Sequence, residues 1–182
     1  MSAAALLIID VQQGLDNPAY GERNNPQAEA NMARLLTHWR MHGWPVLHVR
    51  HDSVEPDSPL RPELPGNAIK PEVLPLAGEP LFTKNVNSAF IGTDLEAHMR
   101  KTGVEQLVVV GLTTDHCVST SVRMAANLGF DVILVGDGTA TFERTAPDGT
   151  HISAEQMHRA NLASLHGEFC QVRSTDEMLI KK

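Results

Sequence analysis

The chain has 182 residues, 42% of them hydrophobic and 20% charged, which suits one globular domain with a real core. Its 15 basic and 22 acidic residues leave a net charge of −7, with no basic stretch to offset it, which argues against nucleic acid or an anionic membrane as a partner. No apolar run approaches the length needed to span a bilayer.

The N-terminus, MSAAALLIID, lacks a basic leader region and its apolar run ends in an acid, so it reads as a first strand over Ala4–Ile9 and not as a signal peptide. A continuous apolar run of this kind suits a strand buried on both faces. Residues 26–42 have helical spacing, with Met32, Leu35, Leu36 and Trp39 on one face and Gly43 as the stop. Val46–Val49 is the second strand. Seven of the 11 prolines fall in residues 52–80, so this stretch is a long loop, and such loops in compact domains are often functional. Pro80–Lys84 reads as a short strand and Thr93–Thr102 as a helix. Gln106–Val110 is a buried strand, followed by GLTTDHCVST and a helix over 118–128 closed by Gly129. Asp131–Val135 is another buried strand. Ser153 caps a helix to about His166, with Glu155 and Gln156 in its first turn, and Phe169–Val172 is the last strand.

Strands alternating with helices predict a three-layer α/β/α sandwich around a mainly parallel, Rossmann-like six-stranded sheet, in one domain over 1–182. In such sheets ligands lie beyond the carboxyl ends of the strands. Asp10 follows the first strand and Cys117 lies just past another, so the two share one rim. Asp10-Val11-Gln12-Gln13-Gly14 stands where a glycine-rich turn would be, which excludes a dinucleotide fingerprint.

The two cysteines could form a disulfide, but one reactive and one packed thiol in a cytoplasmic protein is the favoured reading. Cys117, at a strand-to-helix turn, is the candidate nucleophile, with its pKa expected to fall toward neutrality or below at the helix start. Lys84 is a candidate cation and Asp10 a candidate base. Each has a plainer reading: such an Asp often caps a turn, and a loop Lys is usually solvated. Spacing alone does not bring the three together.

The chain resembles the isochorismatase-like cysteine hydrolases, a superfamily that includes nicotinamidase, N-carbamoylsarcosine amidase and ureidoacrylate amidohydrolase. The resemblance rests on LLIIDVQ (6–12), VLHVRH (46–51), FTKNVNSAF (82–90), VVVGLTTDHCVSTSVRMAANLGFDVILVGD (108–137) and HRANLASLHGEFCQV (158–172), in that order. It implies a triad of Asp10, Lys84 and Cys117, a non-proline cis peptide at Leu112–Thr113, and an oxyanion hole from the Thr113 and Cys117 amides. Asn87, Phe90 and His116 flank the triad positions and are expected at the pocket. The Asp-x-His set of metal-containing nicotinamidases is absent, since Asp52 is followed by Ser53, Val54 and Glu55. His48 and His51, three apart on a strand, face opposite sides; no metal or other cofactor is expected. Leu15 stands where many relatives carry an aromatic residue, and Gly138 where alanine is common. The implied function is metal-independent hydrolysis of a small-molecule amide-type C–N bond through a thioester, in a homo-oligomer (dimer or tetramer). The alternatives are vinyl ether hydrolysis of the isochorismate type, from which Cys117 points away, and a non-catalytic binding or scaffold member. Cys170 is read as inert packing, and His151, His158 and His166 as surface or helix-end residues.

Overall fold

The structure is a computed structural model that describes residues 4–180; the expected domain span of 1–182 also takes in residues 1–3 and 181–182, which lie outside the described residues. In chain order the strands are β1 (Ala5–Ile9), β2 (Val46–His51), β3 (Leu81–Lys84), β4 (Gln106–Leu112), β5 (Asp131–Ala140), β6 (Arg144–Thr145), β7 (His151–Ile152) and β8 (Gln171–Arg173). The α-helices are α1 (Ala28–Met41), α2 (Leu95–Thr102), α3 (Ser119–Asn127), α4 (Ala154–Leu165) and α5 (Thr175–Ile180). Six strands form one parallel sheet in the order β3-β2-β1-β4-β5-β8, while β6 and β7 pair as a short antiparallel hairpin.

Alternation along the central strands divides the core between the two faces of the sheet. Leu7 and Ile9 of β1, with Leu107 and Val109 of β4, pack against Met99 of α2, Val122 and Ala125 of α3 and Leu165 of α4. Leu6 and Ile8, with Val108 and Val110, pack against Met32, Leu35, Leu36 and Trp39 of α1 and Met178 of α5. Both faces are covered, which is why these strands read as unbroken apolar runs. Ser153 and Gln156 form the capping box that starts α4.

The chain lays β2 and β3 outward on one side of β1, then crosses to place β4 on the other. The strand order reverses between β1 and β4, and a crevice opens beyond their carboxyl ends. Gly111 makes this close approach possible: a Cβ there would lie 2.1 Å from the Ile9 carbonyl oxygen, and its φ is +136°. Val109 pairs with Leu134 but Gly111 with Thr139, so β5 bulges over this stretch and runs on to Ala140, past the expected end at Val135. The Leu112–Thr113 peptide bond is cis.

The helix expected over 118–128 begins differently. Residues Thr114–Val118 form a single π-helical turn, and α3 follows at Ser119. Cys117 therefore sits inside a wide turn and not at the N-terminus of an α-helix. The proline-rich loop is firmly held despite its lack of long elements. The Lys70 amide donates to the Val11 carbonyl at 2.9 Å, and the Lys70 ammonium bonds Glu29 at 2.7 Å and Asp16 at 2.5 Å.

Candidate active site

Asp10 directly follows β1 with a left-handed backbone (φ 53°), which Asp tolerates better than most residues and which marks a place where the chain turns sharply. Its carboxylate is buried. Oδ2 accepts from the Lys84 ammonium at 2.6 Å, while Oδ1 is buried without a hydrogen-bond partner among the described residues. Burial pushes the Asp10 carboxyl above the usual range, against the lowering effect of the Lys84 charge.

Lys84 is the last residue of β3, and its side chain is 0% exposed. The solvated-loop reading thus does not hold. Besides Asp10, its Nζ lies 3.1 Å from His51 Nδ1 and 3.4 Å from Cys117 Sγ. Cys117 is half-buried, with Sγ also 3.8 Å from Asn87 Oδ1. The expected drop in thiol pKa is overturned. Burial, then the Asp10 charge, push the Cys117 thiol up to about 12, and the Lys84 charge only partly opposes them. The high value keeps the proton on the resting thiol at neutral pH, with an Asp10 carboxylate oxygen within 4.8 Å of Sγ.

Asp10, His51, Asn87 and Cys117 line a cavity of about 410 Å³. Tyr20 and Phe142, stacked with ring centroids 5.1 Å apart, form one wall; Leu15 and Leu60 add apolar surface, and Arg144 and His116 stand at the polar side. Asp115 anchors that side: Arg144 bonds it at 2.9 Å, and Thr141 donates to its other oxygen at 2.5 Å. Burial would raise the Asp115 carboxyl, but the Thr141 hydrogen bond and the His116 and Arg144 charges together hold it below its ordinary value. Asn87, Thr113 and His116 line the cavity as expected from sequence.

Donor atoms of Asp10, His51 and Cys117 lie within 4.8 Å of one another, a spacing that would suit a metal ion. The Lys84 ammonium bonds all three, however, and so occupies the place where a second cation would go. His48 faces away, its Nε2 2.8 Å from Glu79, and Asp52 is held by Arg50 at 2.9 Å and by Asn67 at 3.0 Å.

A family model for the isochorismatase domain matches residues 4–177. The chain belongs to the isochorismatase family. It is 44% identical to YrdC of Bacillus subtilis (strain 168), described as an uncharacterized isochorismatase family protein, over 96% of this chain and 94% of that one. It is 27% identical to Nicotinamidase 3 of Arabidopsis thaliana, over 96% of this chain and 86% of the relative. A crystal structure of an isochorismatase-family protein from Chromobacterium violaceum superposes with a TM-score of 0.94 at 50% identity, covering 97% of this chain and 91% of that one. The molecule is thus an isochorismatase-family hydrolase built on a parallel α/β sheet.

Within this family frame, some of the expected pocket residues fall elsewhere. Phe90 is not part of the cavity wall: its half-buried ring stacks on Phe130, with centroids 6.2 Å apart, against the core. His158 is buried, not at the surface; its Nδ1 lies 2.9 Å from Thr114 Oγ1, behind the π turn. His151 and His166 are exposed, and Cys170 is 6% exposed in the core. Four lining residues were not anticipated: Tyr20, Leu60, Phe142 and Arg144. Each lies in a connecting segment or the small hairpin, where periodicity carries no signal. His51 was considered only as a metal ligand, and the alternation that separates it from His48 is what turns it into the site.

Proposed function

We propose that this protein is a metal-independent cysteine hydrolase that cleaves an amide-type C–N bond of a small molecule. The observation that carries the reading is the buried Lys84 ammonium, which bonds both the Asp10 carboxylate at 2.6 Å and the Cys117 sulfur at 3.4 Å, two groups that line one cavity. A nicotinamidase among the relatives supports a substrate of the amide class. The cavity, at about 410 Å³, suits a small molecule and not a protein chain.

In this reading Asp10 accepts the Cys117 proton through Oδ1 as sulfur attacks the substrate carbonyl, so the thiolate forms only as the new S–C bond does. The Thr113 carbonyl accepts amide hydrogens from His116 and Val118, on either side of Cys117, which shapes the turn around the nucleophile. The Cys117 and Thr113 amides are assigned to the oxyanion. Asp10 then protonates the departing nitrogen as the tetrahedral adduct collapses to a thioester. A water, deprotonated by Asp10, attacks the thioester carbonyl and frees the acid and the thiol. Lys84 compensates negative charge on sulfur and carboxylate throughout.

The test is turnover of a panel of small primary amides and carbamoyl compounds, with intact-mass detection of an acyl adduct after rapid quenching. The reading requires an adduct on Cys117, lost in Cys117→Ala, and turnover that survives exhaustive chelation. Hydrolysis that persists in Cys117→Ala, or that is lost on chelation and restored by one divalent ion, would refute it.

A further inference from the structure

We infer that His51 is a positioning residue of this site: its Nδ1 is the third acceptor that fixes the Lys84 ammonium against both Asp10 and Cys117. The inference rests on the reading of Asp10, Lys84 and Cys117 as the reacting set.

An ammonium has three N–H donors and no acceptor. The Lys84 side chain is 0% exposed, so solvent does not make up for a missing partner. Its three acceptors are Asp10 Oδ2 at 2.6 Å, His51 Nδ1 at 3.1 Å and Cys117 Sγ at 3.4 Å. Three donors meet three acceptors, which removes the freedom of the group to rotate. Burial and then the Lys84 charge hold the His51 ring below its ordinary pKa, so it is neutral and keeps a lone pair. Because an ammonium can only donate, the 3.1 Å contact with Lys84 Nζ requires the lone pair on Nδ1. The other charged neighbours of the ring are Asp10 and Asp52, the latter paired with Arg50.

The placement of His51 is itself built. His51 and Lys84 are register partners on neighbouring parallel strands, so their side chains rise on the same face. The backbone of His51 is gripped from both sides by the amide of Gln12: the His51 N–H donates to Oε1 at 2.9 Å, and Nε2 donates to the His51 carbonyl at 2.9 Å. Gln12 is 0% exposed and lies two residues after Asp10. One side-chain amide thus ties the segment carrying the base to the residue that orients the lysine. The Asp10-Val11-Gln12 sequence then has a purpose at both ends.

The experiment uses iodoacetamide alkylation of Cys117, which needs no knowledge of the substrate. The variants are His51→Leu, His51→Asn and Lys84→Ala, compared at one mildly alkaline pH after their folding has been checked by thermal melts. An Asn amide oxygen sits close to where Nδ1 does and restores an acceptor. The expected result is alkylation slowed about tenfold in His51→Leu, within about twofold of the parent in His51→Asn, and slowed at least as much as the leucine variant in Lys84→Ala. A general packing role for His51 would give no rescue by Asn. Parent-like or faster alkylation in His51→Leu, beside slow alkylation in Lys84→Ala, overturns the assignment of His51 alone. Parent-like alkylation in Lys84→Ala overturns the reading of the reacting set itself. Should the leucine variant not fold, His51→Ala against His51→Asn carries the same comparison.

Discussion

Replacing Asp10 by Asn separates two effects that the site combines, because it should speed one reaction of Cys117 while stopping another. The Cys117 thiol is pushed up to about 12 by burial and then by the Asp10 charge. A carboxylate oxygen lies within 4.8 Å of Sγ. At that separation, with an effective dielectric constant of about 20–40, the repulsion between carboxylate and thiolate is roughly 2–3 kcal/mol, which lowers the thiol pKa by about 2 when the charge is removed. At a pH well below both values the thiolate population then rises about a hundredfold. Each thiolate is less nucleophilic, by somewhat under tenfold for a Brønsted slope of about 0.4–0.5, so the net gain in alkylation rate is about tenfold.

Amide hydrolysis should go the other way. Asn accepts the Lys84 hydrogen bond but not a proton, so general-base assistance of about 10²–10⁴-fold is lost. The assay pairs iodoacetamide alkylation of Cys117 with turnover of whichever amide the parent cleaves, on the same protein at the same pH. Alkylation that slows in step with turnover would refute the reasoning. It would mean that proton removal, and not the neighbouring charge, limits the thiol in both reactions.

Lys84→Ala leaves the buried Asp10 without its counter-charge and should destabilise the fold by about 3–5 kcal/mol at neutral pH, by urea titration, with a smaller deficit at acid pH where Asp10 is protonated. Glu29 also loses its contribution in acid, but for a different reason: burial would raise its carboxyl, while hydrogen bonds from Arg23 and Lys70 outweigh this and hold it at about 2, against 4.5 ordinarily. Its contribution to stability is therefore full above about pH 4.5 and is lost as the pH falls toward 2, and Glu29→Gln should flatten that part of the acid-unfolding profile. Gly111→Ala puts a Cβ 2.1 Å from the Ile9 carbonyl oxygen and should cost about 3 kcal/mol or more; a thermal melt like that of the parent would show that β4 can retreat from β1 at little cost.

What the sequence reveals and what it hides follow from where each signal resides. The buried parallel strands announce themselves because both faces are apolar, and strand–helix alternation then places Asp10 and Cys117 on one rim. That is local information. The environment of each group is not local. Lys84 looks like a solvated loop residue until it is seen inserted between partners 74 and 33 positions away. The turn after β4 was read as a helix start that would acidify the thiol; it is a π turn packed beside a carboxylate, and the shift reverses. Phe90 fails for a related reason: its position close to Lys84 in sequence suggests a pocket, but the ring stacks on Phe130 instead. His51 is the most instructive case. Strand alternation correctly separated it from His48 and so argued against a metal pair, yet the same alternation aims one of the two histidines at Lys84. Periodicity tells which face a side chain takes. What that face contains is decided by the register of β2 on β3, and here the register pairs His51 with Lys84. An imidazole beside a buried ammonium then serves the lysine as a neutral acceptor.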